Sequence, residues 1–340
     1  MPMYSFHNKD LAGGASIHYN MHFDKIFQTI RFGVNAKRYC YSNYGLPKLN
    51  FNKIAPEIKI EFRKKHLNNS LKHSIRARHV NVWQDVAESD TAFPTMFWYD
   101  IYNFSYRDIT YQIGNNRKIN PYNVAINIHG DGGFYKTSVT ANYQLTFKKK
   151  KKAFDIRFYA GAFSNFSGGE YGNYFLHASG GTGAQDYLYD NVFLGRSETD
   201  GFLSHQFTET DGAMKVYTPL GRTDGWLASL NLKSSLPGKL PVKLFADFSI
   251  YPGSAAGAPK SLYDAGVYIP LVKDMIEIYI PLLMSQDIKD VFYLNNPDLV
   301  AINQIGEKDP NPFKRTMRMI RFTFNIHKMN PFELVRNLSL

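Results

Sequence analysis

The chain has 340 residues, of which 44% are hydrophobic, 20% are charged and 15% are aromatic. Mean hydropathy is −0.34, and this composition excludes both a largely disordered chain and a helical membrane protein. The single cysteine, Cys40, excludes a framework of internal disulfide bonds. The formal net charge is +11. Apart from the run Lys148–Lys152 the basic residues are dispersed, so the charge does not indicate nucleic-acid binding.

Alternation of apolar and polar residues runs through most of the chain and predicts β-strands with one apolar face. In 242–250, for example, Val242, Leu244 and Ala246 alternate with Lys243 and Asp247. About fifteen segments show this pattern with varying clarity. They are 12–23, 30–37, 53–64, 71–85, 95–110, 120–129, 139–147, 154–162, 186–195, 204–218, 224–234, 242–250, 261–271, 276–280 and 320–326.

The length of these segments indicates the fold class. Most have about 10–15 residues, whereas strands of soluble proteins average about 5–6 and a tilted membrane-spanning strand needs about 9–11. The aromatic residues (26 Phe, 23 Tyr and 3 Trp) favour strands, and Tyr and Trp favour the membrane–water boundary. We therefore predict an all-β, antiparallel transmembrane (outer-membrane) β-barrel of about 14–16 strands over residues 1–328. A soluble β-sandwich would explain the alternation, but not the repeated length or the aromatic content.

The links between the segments predict an orientation, since outer-membrane barrels have short periplasmic turns and longer external loops. If the turn at Lys148–Lys152 is periplasmic, strict alternation puts most short links on the same side and most long links outside. The last strand then runs inward. Residues 329–340, in which Pro331 follows Asn330, are expected to form a short periplasmic helix or tail. The predicted location is the bacterial outer membrane, with the lipid bilayer or lipopolysaccharide as surroundings.

The same alternation leaves the barrel one strand short. The segments 12–23 and 320–326 both run inward, and an all-antiparallel barrel cannot close between two such strands. Residues Pro2–Asn8 resemble the end of an outward strand. We therefore expect a first strand truncated near Met1, in the C-terminal part of a longer precursor. The lack of a recognisable signal peptide at Met1 fits this expectation.

The polar faces of the segments supply the candidate lumen-lining residues. A charge on the lipid-facing side costs about 2–4 kcal/mol at the membrane midplane, so charged residues on a polar face are expected to point into the lumen. These candidates are Arg31, Asn35, Asn142, Gln144, Asp155, Arg157, Lys243, Asp247, Glu277, Arg321 and Asn325.

The sequence offers no catalytic or metal-binding constellation. His18 and His22 have the spacing of a helical zinc pair, but on a strand four residues span about 13 Å, which is too far for one metal ion. Ser204 and His205 are adjacent, and so would lie on opposite faces of a strand. HExxH, GxSxG and Walker motifs are absent from the sequence, and no helix pattern follows Gly180–Gly183. We therefore predict neither an enzyme nor a cofactor.

Four stretches carry a family resemblance: Asp190–Phe207, 221–233, 240–248 and 320–336. Together they resemble the C-terminal region of Bacteroidota-type membrane-alanyl-aminopeptidase-like zinc metallopeptidases, in which a catalytic unit precedes a barrel region. The resemblance implies a barrel that anchors a peptidase. No catalytic residue carries over, because the zinc-binding and exopeptidase motifs of that family are absent from this chain.

Three functions follow from these observations. The first is a membrane anchor or assembly platform for an upstream metallopeptidase domain or for periplasmic or outer-membrane subunits. The second is a porin-like channel that passes small solutes through a charged lumen, unless a long loop folds inward as a plug. The third is a soluble carbohydrate-binding β-domain.

Overall fold

The structure is a computed structural model of the chain. It describes residues 2–5, 10–23, 25–41, 49–64, 70–89, 97–117, 119–147, 153–165, 174–183, 185–193, 202–236, 242–253, 258–272, 275–299 and 309–325. The run Lys148–Lys152, the tail 329–340 and the side chain of Cys40 lie outside this part, and their predictions remain untested.

Strands dominate the described residues. They are β1 (Pro2–Ser5), β2 (Asp10–His22), β3 (Phe27–Tyr41), β4 (Leu49–Phe62), β5 (Leu71–Ser89), β6 (Phe97–Asn115), β7 (Tyr122–Gly130), β8 (Phe134–Thr146), β9 (Ala153–Asn165), β10 (Gln206–Phe207), β11 (Trp226–Ser235), β12 (Lys243–Tyr251), β13 (Lys260–Val272), β14 (Ile276–Met284) and β15 (Arg321–Phe324). Two helices, α1 (Gln286–Asn295) and α2 (Pro312–Arg318), lie between β14 and β15. No helix in the described ranges is long and apolar enough to cross a membrane.

All strands belong to one sheet, in which neighbours in sequence are almost always neighbours in space. The order is β1 to β9, then β11 to β15, with β10 at the far edge. Every pairing is antiparallel except the short parallel contact of β10 with β15. The hairpin between β7 and β8 turns at Gly132, whose φ of 106° favours glycine. There the Asp131 carboxylate accepts a hydrogen bond from the Gly133 amide at 2.8 Å.

The two faces of the sheet are inverted relative to a soluble protein. On the outer face, large apolar side chains are exposed, as Phe158 (43%) and Phe248 (41%) are, and similar residues recur on most of the long strands. On the inner face, charged residues such as Asp247 (3%) and Arg321 (2%) are buried. An apolar band outside and charges inside are typical of a barrel that crosses a membrane with its strands.

The sheet curves around one interior segment. We call the described residues between β9 and β11 that lie inside it, 174–183, 185–193 and 208–225, the plug. Tyr189 of the plug packs against Phe51 of β4 and its neighbours on β5, β6 and β8. Met214 of the plug packs in a cluster with residues of β11 to β14, including Leu262. A wall that encloses one segment from both halves is a barrel wall, and the predicted fold class is confirmed.

The predicted strands at 186–195 and 204–218 are wrong. The described residues of these segments belong mainly to the plug, and among them only Gln206–Phe207 form a strand. Their apolar residues alternate because they contact different inner surfaces, not because they face lipid. Since two adjacent strands are removed, the direction of every later strand stays as predicted. In the predicted strand 320–326, Phe322 alternates with Arg321 and is expected on the lipid-facing side. It is only 5% exposed, because the Phe202 ring stacks on it at 4.7 Å.

Candidate functional site

The lumen and its plug form the candidate functional site, and Asp190 is the first of three acidic residues that hold the plug to the wall. Arg78 of β5 donates two hydrogen bonds to the Asp190 carboxylate, from Nη1 at 2.7 Å and from Nη2 at 2.5 Å. Lys53 of β4 donates a third at 2.5 Å. Lys37 of β3 donates to the Asp190 carbonyl at 2.9 Å. Such a charge-assisted, bidentate arrangement fixes both position and orientation.

The contact at Asp190 continues through the wall and returns to the plug. Arg78 also binds Asp108 of β6, whose other oxygen accepts from Asn127 of β7 at 2.5 Å. Asn127 contacts the His129 ring at 2.7 Å, and the other nitrogen of His129 bonds the hydroxyl of Tyr187 in the plug. The plug and the strands β5, β6 and β7 are therefore joined by one hydrogen-bond network, in which neighbouring hydrogen bonds polarise one another.

The charge of Asp190 is set by these neighbours. Burial alone would raise the pKa of the carboxyl, but Arg78 and Lys53 outweigh it and hold the pKa far below its usual range. Asp190 is therefore an anion throughout the physiological range, and the ion pairs persist with it.

Asp211 is the second acidic contact. Its carboxylate accepts from Lys136 of β8 at 2.6 Å and from the Tyr159 hydroxyl of β9 at 3.0 Å. Its carbonyl accepts from Arg157 at 2.8 Å. Burial would raise the pKa of Asp211, but Lys136 more than compensates and lowers it. Burial lowers the pKa of the neighbouring His177 to about 4, which leaves its ring neutral at pH 7.

Glu209 is the third acidic contact and reaches the other half of the wall. It pairs with Lys233 of β11 at 2.5 Å and with Lys215 of the plug at 3.8 Å. Lys233 also pairs with Glu277 of β14 at 3.1 Å. Burial would raise the pKa of Glu209, but Lys233 and then Lys215 hold it well below its usual range.

Two wall carboxylates bind plug backbone beside Glu209. Asp247 accepts from the Lys215 amide at 3.1 Å, and Asp264 accepts from the Val216 amide at 2.8 Å. These two carboxylates face each other in the β12–β13 register. They therefore hold two consecutive amides of the plug against the wall.

The plug backbone is strained where the acidic contacts hold it. Four non-glycine residues in the described ranges have positive φ, and three of them lie in the plug: Tyr189 (48°), Asp211 (48°) and Ala213 (53°). Left-handed backbone at such residues is unfavourable and persists only where surrounding contacts enforce it. Tyr189 precedes Asp190, and Asp211 is itself an acidic contact.

Between the plug and the end of the barrel that carries the β8–β9 link lies a cavity of about 310 Å³ with many polar lining residues. Six of the predicted lumen residues line it: Asn142, Gln144, Asp155, Arg157, Lys243 and Glu277. Gln144 donates to Asp155 at 2.6 Å, and the Lys243 ammonium lies 5.5 Å from the centre of the Tyr268 ring. The cavity carries charges of both signs and ends at the plug.

The other predicted lumen residues are dispersed. Asp247 lies at the plug as described, and Arg321 donates to the Gly180 carbonyl at 3.3 Å. Arg31 donates to Asn20 of β2 at 2.9 Å, away from the plug. Asn35 is half-buried on β3, and Asn325 is exposed just beyond β15.

The residues that hold the plug were missed by sequence reasoning. Asp190, Glu209, Asp211 and Lys215 fall in the segments assigned to strands. Gly212, inside the segment 204–218, was a usable signal against a strand, since glycine is depleted in strand interiors. A Cβ on Gly212 would lie 2.5 Å from the Ala178 carbonyl oxygen, so the plug requires glycine there.

The remaining candidates show no catalytic geometry. His18 lies 3.8 Å from Glu57, and His22 lies 3.4 Å from the Thr29 hydroxyl. His205, in a 3-10 turn, contacts the Ile320 carbonyl at 2.6 Å. Within the described ranges, no group of three or more His, Cys, Asp or Glu residues is placed to hold a metal ion.

Comparison with known proteins adds little beyond this geometry. No family model matches the sequence, and no curated protein matches it. Among solved structures, the chain is similar to BamA from Haemophilus ducreyi lacking POTRA domains 1–3, with 11% identity, a TM-score of 0.45, and coverage of 79% of this chain and 58% of that one. It is also similar to CdiB from Acinetobacter baumannii, with 10% identity, a TM-score of 0.41, and coverage of 84% and 49%. The chain thus spans about half the length of these proteins.

Proposed function

We propose that this barrel resides in the bacterial outer membrane and acts as a membrane anchor or assembly platform, not as a permanently open pore. The plug carries this proposal. Its apolar residues Leu176, Ala178 and Met214 are fully buried against the wall, and its acidic residues bind wall cations. A lumen filled in this way lacks the aqueous channel that a porin needs.

The outer surface supports the membrane location over a soluble carbohydrate-binding domain. Facing residues on adjacent strands, such as Phe158 on β9 and Leu230 on β11, are both apolar and both exposed. A band of this kind around a soluble protein would be an aggregation surface. In a bilayer it is the surface that lipid covers.

The proposed partner is an upstream metallopeptidase domain, or periplasmic or outer-membrane subunits. The resemblance of the stretches around 190–207 and 320–336 to peptidase-associated barrels supports the first choice. A filled lumen also fits an anchor, because a barrel that holds another domain or subunit at the membrane needs no open channel. We call the end of the barrel that carries the β8–β9 link the turn end. It would be the periplasmic end.

Planar-bilayer recording tests the anchor against the channel. The purified protein is inserted into a planar bilayer, and a porin of similar strand number serves as the positive control. We expect no stable single-channel steps. Steady conductance at rest would overturn the anchor proposal and favour the porin-like alternative.

Affinity purification from native membranes tests the partner. A tag on an external loop retains the barrel, and bound or covalently attached sequence is read by mass spectrometry. We expect a zinc metallopeptidase with an HExxH motif. Recovery of the barrel alone, at full yield and after cross-linking, would overturn the peptidase assignment and leave the membrane location standing.

A further inference from the structure

The first edge of the sheet is incompletely paired within the apolar band. β1 pairs with β2 only from Pro2 opposite Gly13 to Ser5 opposite Asp10. On its other side β2 pairs with β3 from Gly13 to His22. Residues 15–22 therefore have a neighbouring strand on one side only, among the residues that the structure describes.

Side-chain exposure shows that a neighbour is missing from this edge. Ile17 is 79% exposed, whereas Val34, which faces it on β3, is 45% exposed. Tyr19 is 66% exposed, whereas Phe32, which faces it, is 43% exposed. Values near 40% are usual for outward residues of strands that are paired on both sides, as for Phe158 and Phe248. Ile17 and Tyr19 exceed this because no described strand pairs with residues 15–22 on the side of β2 that faces away from β3.

An edge of this kind is not stable in a membrane. Unsatisfied backbone groups are strongly unfavourable in the hydrocarbon, and open sheet edges do not occur there. Ile17 and Tyr19 belong to the same outward face as Phe32 and Val34, so the open edge lies at the depth of the band. A further strand must cover it.

We propose that a strand continuous with β1, supplied by residues that precede Met1 in a longer chain, covers residues 15–22 of β2. The register defines its length. Each step backward along β1 advances the partner on β2 by one residue, so about eight further residues reach His22, close to the length of a membrane-spanning strand. Its alternate residues are apolar toward lipid and polar toward the lumen. β15 fits this edge less well, because β2 and β15 run in the same direction and β15 already pairs with β10.

This strand also determines where an upstream domain would emerge. It runs antiparallel to β2, and so starts at the turn end, beside the link from β2 to β3. The chain before it therefore emerges at the turn end, on the side of the β8–β9 link. This step rests on the proposed anchor function, whereas the strand itself rests only on the transmembrane fold.

Two forms of the protein test the strand. One is purified from its native membrane with a C-terminal tag, and the other is the 340-residue chain refolded in the same detergent. We expect residues before Met1 in the intact mass of the native form, with an alternating sequence next to Met1. We also expect amide hydrogen exchange at 15–22 to be slowed at least tenfold in the native form. Amides of β3 are the control, and should exchange slowly in both forms. A mature native protein that begins at Met1, or fast exchange at 15–22 in the native form, overturns the proposal.

Cysteine cross-linking distinguishes the other occupants of the edge. In a Cys40→Ala background of the native form, Ser16→Cys combined with Thr323→Cys would form an intramolecular disulfide if β15 closed on β2. Ser16→Cys alone would form a dimer if a second copy paired there. Either product overturns the proposal, and absence of both is expected. An upstream strand without an HExxH domain before it would retain this inference and remove the peptidase partner.

Discussion

Replacing Asp190 with asparagine removes the negative charge that Arg78 and Lys53 share, while the shape of the side chain is kept. Removing one member of a buried ion pair costs about 3–5 kcal/mol, because the partner cation is left buried and unpaired. The Asp190 side chain is 33% exposed, so we take the lower end, about 3 kcal/mol. Since each 1.4 kcal/mol is a factor of ten, the ratio of docked to released plug should fall about 100-fold.

Single-channel recording and amide exchange of residues 186–192 together measure this release. We expect brief openings in the Asp190→Asn protein, and exchange in the plug accelerated by about the same factor. Asp298→Asn is the matched control, because its ion pair with Arg318 is exposed on both sides (58% and 46%) and should contribute little to stability. Circular dichroism verifies that the barrel has folded. If Asp190→Asn matches wild type in both conductance and exchange, the ion pairs at Asp190 do not hold the plug.

Three further outcomes follow from single positions. Because burial lowers the pKa of His177 from 6.5 to about 4, the released state binds the proton more readily, and docking of the plug should weaken as the pH falls from about 6.5 to about 4. Plug exchange against pH should show this step, and His177→Gln should remove it. Gly132→Val forces a branched residue to a φ of 106° and should lower the free energy of unfolding by about 1–3 kcal/mol, whereas Gly132→Asn should cost less, as urea titration would show. Phe158→Lys places a charge in the apolar band and should cost about 2–4 kcal/mol in lipid vesicles, while Asn142→Lys in the lumen should cost little; equal costs would contradict the assigned faces.

The wall of the barrel could be predicted from the sequence because alternate residues of each strand face the same two surroundings, lipid and lumen, along its length. Along β12, Leu244, Ala246 and Phe248 face lipid while Lys243 and Asp247 face the lumen, and this contrast survives in a single sequence. Irregularities are the exception. The register shift between Ala265 and Gly266, opposite Pro281, follows from close backbone approach that alternation does not encode.

The plug could not be predicted in the same way, because its residues face many environments in turn. Met214 and Val216 are buried in apolar contacts, yet Lys215 between them is buried in an ionic one. Alternation of this kind mimics a strand, although the segment crosses the lumen and makes only isolated bridges, such as Ser179 with Met214. The wall residues that bind Asp190 and Asp211 lie more than 50 residues away in sequence. No pattern in the neighbouring sequence therefore identifies Asp190 and Asp211 as contacts to the wall.

The left-handed residues of the plug have a consequence for how it would leave the wall. Tyr189, Asp211 and Ala213 each hold about 1–3 kcal/mol of backbone strain, and that strain relaxes once the adjoining contacts are broken. Loss of the Asp190 contact frees Tyr189 to relax, and the relaxed chain no longer offers Asp190 to Arg78 in the geometry needed for re-docking. Asp211 combines both features in one residue, because it has a left-handed backbone and its carboxylate binds Lys136. The plug should therefore be either docked or released, without stable positions in between.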